Sequence, residues 1–241
     1  MAMPAVNLRP YDDDALPSGG ARLLMCGKSF VADKTGALYW PAEETLALSD
    51  LLLCQGSYLD QADAVMPPYD TASPMEKLEE ALERYDPKRV IALGDSFKHG
   101  GALCAHDFDW LLDLMDGREW FWVTGPDGAP PPRNTPGRVV PHVTVGGVKF
   151  RHEPVRAPVS HEISGSMHPV ATISDHDFTV TGRCFVSNGL RVALPSVGRC
   201  SAGANILDDI FEPLLGRNGL FVWVILHGRV RQVAAGQLML A

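Results

Sequence analysis

Five short apolar runs of the 241-residue chain break off at a carboxylate or an imidazole. Thr45-Leu46-Ala47-Leu48-Ser49 ends at Asp50, and Arg89-Val90-Ile91-Ala92-Leu93-Gly94 ends at Asp95. Glu119-Trp120-Phe121-Trp122-Val123 is followed by Thr124-Gly125-Pro126-Asp127. Val148-Lys149-Phe150-Arg151 leads into His152, and Glu162-Ile163-Ser164 into Gly165-Ser166-Met167-His168-Pro169. In α/β proteins the carboxyl ends of strands carry the chemistry, so these side chains can converge on one rim. Two carboxylates and two imidazoles, Asp50, Asp95, His152 and His168, form a donor set suited to Mn²⁺, Fe²⁺ or Zn²⁺. Two such ions ~3.5–4 Å apart would clamp a phosphoester and activate a water.

Each residue alone has an ordinary explanation. Asp95 can cap a turn. His152 can be a hydrogen-bonded core histidine and His168 a turn residue. Their joint placement at successive strand ends is what favours a site. Lys98 and His99 come shortly after Asp95, a place where a phosphate could lie; a solvated loop is the alternative. The glycine-containing stretch from Arg199 to Asn205 can offer backbone amides to a phosphate or be an ordinary turn.

The elements that must position these residues follow from periodicity. Short runs rich in β-branched and aromatic residues read as strands: Arg22–Cys26, Ala37–Trp40, Thr45–Asp50, Val90–Leu93 and Glu119–Val123. Ser73, Pro74 and Glu76 open a helix with a capping box, and Met75, Leu78, Leu82 and Tyr85 fall on one of its faces. A second helix is predicted over His106–Met115. The first half therefore reads β-α-β-α-β, with parallel strands and crossover helices. In the second half the strands are short and closely spaced. Val143–Val145 and Val148–Arg151 flank Gly146-Gly147 as a hairpin. Further strands are predicted at Glu162–Ser164, Val170–Ile173, Phe178–Val180, Cys184–Val186 and Arg191–Leu194, a helix over Asn205–Leu215, and a last hairpin from Phe221–Leu226 and Arg229–Val233. The expectation is a mobile arm over residues 1–20 and one domain over 21–241, with two sheets packed face to face and helices outside.

Composition narrows the function classes. A net charge of −8 argues against a broad basic groove for nucleic acid, but a local patch or a metal can still attract phosphates, so nucleic acid is left open. Five scattered cysteines without a C-x-x-C suggest reduced thiols and a cytoplasmic protein. The acidic N-terminus does not read as a signal peptide, and no apolar run reaches membrane-spanning length.

The order of these blocks resembles the calcineurin-like metallophosphoesterases. Within them it is most similar to the bacterial ligase-associated phosphoesterases linked to DNA repair. Tyr39-Trp40-Pro41-Ala42-Glu43, Pro67-Pro68-Tyr69-Asp70-Thr71, Val90 to Phe97 and Arg151-His152-Glu153-Pro154 carry the likeness to that branch, which spans Leu24 to Phe211. The resemblance implies a four-layer α/β/β/α sandwich and a dinuclear metal site that hydrolyses phosphoesters. It also implies DNA-repair partners such as a ligase or a helicase.

Carried over one residue at a time, the family's ligands are only half present. The first motif, Asp-x-His, is met by Asp50 but has Leu52 in place of the histidine. The bridging aspartate is Asp95. The third motif, Gly-Asn-His-Asp or Gly-Asn-His-Glu, becomes Gly125-Pro126-Asp127, which makes Asp127 the candidate catalytic residue. The fourth motif keeps His152. The fifth, Gly-His-x-His, keeps His168 but has Ser166 first. One ion would retain Asp50, Asp95 and His168, and the other only Asp95 and His152. The expectation is one divalent ion, Mn²⁺ or Zn²⁺, or none tightly held. Three readings follow: an impaired ligase-associated phosphoesterase relative, an active phosphoesterase with a rewired mononuclear site, or a non-catalytic module for a phosphate ligand or a partner.

Overall fold

The computed structural model describes residues 16, 18–53, 73–97, 103, 105–125, 128–175, 178–198, 203–216 and 219–240. The first sheet has seven strands in sequence order: β1 (Ala21–Met25), β2 (Lys28–Ala32), β3 (Leu38–Trp40), β4 (Thr45–Ser49), β5 (Arg89–Leu93), β6 (Glu119–Val123) and β7 (Arg138–Val140). β1 through β4 pair antiparallel, and β4 through β7 pair parallel. Helix α1 (Pro74–Tyr85) lies between β4 and β5, and α2 (Ala105–Met115) between β5 and β6. The parallel half is thus the β-α-β-α-β unit read from the sequence, preceded by an antiparallel meander.

The second sheet gathers β8 (Val143–Val145), β9 (Val148–Arg151), β10 (Glu162–Ser164), β11 (Pro169–Asp175), β12 (Phe178–Ser187), β13 (Arg191–Ala193), β14 (Ala204–Asn205), β15 (Phe221–Leu226), β16 (Arg229–Val233) and β17 (Leu238–Met239). Its main order is β14-β11-β12-β13-β10-β9-β8, with β15 and β16 running off β12 and β17 off β11. A short helix α3 (Glu212–Leu215) covers its outer face.

Period-two alternation divides the core into layers. In β5, Ile91 and Leu93 join the apolar cluster between the sheets, while Val90 and Ala92 join the cluster under the helices. In β6, Phe121 and Val123 face the other sheet and Trp120 and Trp122 face the helices. Leu78 and Leu82 of α1 and Leu111 and Met115 of α2 cover that outer face. Phe150, Ile163, Phe185 and Trp223 meet the first sheet from the second, and Ile206, Phe211 and Leu215 close the far side. The result is the four-layer α/β/β/α sandwich. Removing a buried leucine from any of these layers costs about 2–5 kcal/mol.

Local chemistry sets the start of α1. The Ser73 hydroxyl accepts from the Glu76 amide at 3.2 Å, and the Glu76 carboxylate accepts from the Ser73 amide at 2.5 Å. Such a cap contributes about 1 kcal/mol.

Five features differ from the sequence reading. β2, β7 and β17 were not expected: β2 begins with polar residues, β7 is a three-residue strand at the sheet edge, and β17 has only two residues. Phe178–Val180 and Cys184–Val186 belong to one ten-residue strand. Gly182 is not a turn there; a side chain on it would come within 2.8 Å of Val224. The helix predicted over Asn205–Leu215 is instead a two-residue strand, a 3-10 turn over Asp209–Phe211 and α3. Its apolar spacing is helical, but the Asn205 side chain accepts from the Leu207 amide at 3.0 Å and Asp208 accepts from the Asn205 amide at 3.0 Å. Such local bonds compete with a helix. The expected arm lies largely outside the described residues; at its end the Gly19 carbonyl accepts from the Val230 amide at 2.8 Å. Among the described residues no helix is long and apolar enough to cross a membrane.

Candidate functional site

β4, β5 and β6 are parallel neighbours, so Asp50, Asp95 and Gly125 leave the same edge of the first sheet. β9 and β10 are parallel neighbours in the second sheet and deliver His152 and Gly165. Within each sheet the strand ends are tied to their neighbours by backbone bonds. The Asp50 amide donates to Leu93 O at 2.9 Å, the Gly94 amide to Val123 O at 2.7 Å and the Gly165 amide to His152 O at 3.0 Å. An isolated parallel bridge joins Ser49 to Ser196, and the Gly198 amide donates to Asp50 O at 2.9 Å.

Asp50 is the centre of the arrangement and is almost fully buried. Its Oδ2 accepts from Ser49 Oγ and lies 2.9 Å from His168 Nε2. Its Oδ1 accepts from the Asp95 amide at 3.1 Å and lies 3.8 Å from His152 Nδ1. Burial alone would raise the Asp50 carboxyl, but the His168 hydrogen bond, the charges of His168 and His152 and the Ser49 hydroxyl outweigh it. The group is held below the ordinary carboxylate range, charged in a place where an unpaired charge would be very costly.

His152 Nδ1 is buried without a hydrogen-bond partner among the described residues. Two glycines make room for this packing. A Cβ on Gly94, at φ +82°, would fall 2.0 Å from His152 Nδ1 and 2.6 Å from Asp50 Oδ1. One on Gly165 would fall 2.1 Å from Ser49 Oγ. Asp50, Leu52 and His168 also sit at positive φ, at 50°, 52° and 43°. Aspartate and histidine tolerate that region; for a leucine it is an outlier of the kind that gathers at functional sites.

The structure therefore brings Asp50, His152 and His168 together. Asp95 joins through its amide, while its half-buried carboxylate has no hydrogen bond or ion pair among the described residues. Leu52 is buried but belongs to none of the three apolar clusters, and Ser166 is half-buried. Asp127, Lys98 and His99 lie outside the described residues. Among the described residues, no three His, Cys, Asp or Glu side chains are grouped to hold an ion as they stand. The donor types nevertheless suit a divalent cation, and two of them, the Asp95 carboxylate and His152 Nδ1, are uncommitted. The other two are bound to each other. The sequence reading overlooked Ser49 and Ser196 as supports of Asp50; Ser196 Oγ donates to Asp50 O at 3.3 Å. Neither serine carries a motif, and only the cross-sheet bridge reveals them.

No family model and no curated protein matches the chain. Among solved structures it is similar to the crystal structure of the nuclease MPE from Pseudomonas putida, with a TM-score of 0.64 and 18% identity over 89% of this chain and 100% of that one. At that identity the likeness establishes a shared fold.

Proposed function

We propose that this protein is a metallophosphoesterase-like protein of the ligase-associated, DNA-repair type whose catalysis is impaired. The observation that carries the reading is Leu52, buried two residues after Asp50 at the position where the metallophosphoesterases that the sequence resembles have a metal-binding histidine. A leucine side chain has no donor atom for an ion, so an ion between Asp50, Asp95 and His168 lacks that ligand. A second ion, left with Asp95 and His152, has too few ligands to be held. The shared fold with a nuclease supports a phosphodiester as the ligand class, and His152, whose buried Nδ1 has no hydrogen bond among the described residues, supports a contact to its phosphate.

The experiment is metal content after dialysis, measured together with turnover of a generic phosphodiester in excess Mn²⁺. At most one ion per chain and negligible turnover are expected. Two retained ions with turnover would sink the reading. One ion with turnover would point instead to the rewired mononuclear hydrolase.

A further inference from the structure

Beside His152 an open cleft of about 460 Å³ runs between the end of β9 and the loop that follows β7. Val139, Val140 and Pro141 give the lining its apolar part, followed by His142, and Arg151, His152 and Glu153 give its charged and polar part, with Thr124 and Gly125 completing it. Val139 is 52% exposed, a large side chain left without cover on an edge strand. Arg151 has a specific electrostatic setting. Its Nε lies 3.1 Å from Glu162 Oε2, and the other oxygen of the same buried carboxylate is taken by Arg191. Arg191 is itself buried, so Glu162 serves two guanidiniums and leaves one positive charge uncompensated. The terminal nitrogens of Arg151 have no hydrogen bond among the described residues, and the side chain is 23% exposed, into the cleft. Glu153 is exposed in the same lining and forms no ion pair with it among the described residues.

We infer that this cleft seats a phosphoester carrying a flat apolar group, with Arg151 binding a phosphate oxygen and Val139 and Pro141 packing on the organic part. The choice of anion rests on the phosphoester reading above. A guanidinium held by one nitrogen still presents a fork of donors matched to phosphate geometry. An apolar patch beside a few convergent polar groups is the usual form of a small-molecule site.

The test titrates the full chain, stripped of metal and kept in chelator, with phenylphosphonate and with methylphosphonate by calorimetry. Phenylphosphonate is expected to bind at least about tenfold more tightly, since it alone covers the apolar patch. Val139→Ser should narrow that preference at least about threefold. Arg151→Gln should weaken both probes at least about tenfold. Because Arg151 also braces Glu162, Glu153→Gln is measured alongside; it removes a negative charge from the lining and should strengthen both. Equal affinities, no binding of either probe, or a preference untouched by Val139→Ser overturns the inference. No metal enters this measurement, so an error in the metal reading appears in the metal content and leaves this result standing.

Discussion

His168 Nε2 stands 2.9 Å from Asp50 Oδ2, joining an imidazole that is 21% exposed to a carboxylate that is 1% exposed. The pair links the start of β11 to the end of β4 and so spans both sheets. Asp50 is also the acceptor for Ser49 and for the Asp95 amide. Asp50→Ala would strip all of these donors at once and should cost about 3–5 kcal/mol. His168→Ala removes one partner and should cost about 1–3 kcal/mol. Urea unfolding of both variants checks the order; a neutral Asp50→Ala would mean that the network carries no stability.

Gly94→Ala tests how closely the imidazole packs. The new methyl would collide with His152 Nδ1 and with the Asp50 carboxylate, on a backbone at φ +82°. Strain and collision together predict a loss of at least about 2 kcal/mol. Gly147→Ala, also at positive φ but with nothing near the added methyl, should lose only the strain component, about 1 kcal/mol. Thermal melts of the two variants separate the components.

Leu52 should behave unlike an ordinary core leucine. It is buried at positive φ and sits outside the apolar clusters, whereas Leu48 packs under the helices. Leu48→Ala is expected to cost about 2–5 kcal/mol and Leu52→Ala clearly less. If the proposed likeness to the metallophosphoesterases holds, Leu52→His combined with Ser166→His, Pro126→Asn and Asp127→His should raise the retained metal to two ions. Single changes should do little, because ligands acting through shared ions are strongly non-additive. A fourfold variant that folds but takes up no second ion would contradict the assignment of these positions.

Alkaline stability should depend on Tyr85. Burial, followed by the charge of Asp33, pushes its hydroxyl well above the ordinary 10.0. The hydroxyl donates to Asp33 Oδ2 at 2.7 Å, beside the Arg84 guanidinium at 2.7 Å. A raised value in the folded state means that the contribution is complete below pH 10.0 and declines above it, where the unfolded chain releases the proton first. Tyr85→Phe should lose about 1 kcal/mol at neutral pH and show a shallower decline above pH 10.0 than the parent. Parallel alkaline limbs in the two proteins would show that Tyr85 does not titrate as described.

Much of the frame could be read from residues because it rests on local periodicity. Ile91 and Leu93 against Val90 and Ala92 already state which face of β5 meets which layer, and Ser73 with Glu76 announces α1. Asp50, Asp95, His152 and His168 could be named because each follows an apolar run. What could not be read depends on contacts far apart in the chain. Ser49 and Ser196 are far apart in the chain and meet only across the two sheets. The shared Glu162 between Arg151 and Arg191 requires β9, β10 and β13 to lie side by side. The helix expected after Asn205 is absent for a local reason: the Asn205 side-chain oxygen accepts from the Leu207 amide, a bond that competes with helical pairing.

The bridge between Ser49 and Ser196 also bears on motion. Sheets joined only by apolar contact can slide or breathe apart a little, and their facing amides then exchange with solvent. Here the Val197 and Gly198 amides are locked onto Ser49 and Asp50 at 2.8 and 2.9 Å. The floor of the site belongs to both sheets at once, so exposing it requires the sandwich to come apart. Deuterium uptake at these two amides should therefore follow the slowest, global opening of the molecule, while Val139 on its open edge exchanges early.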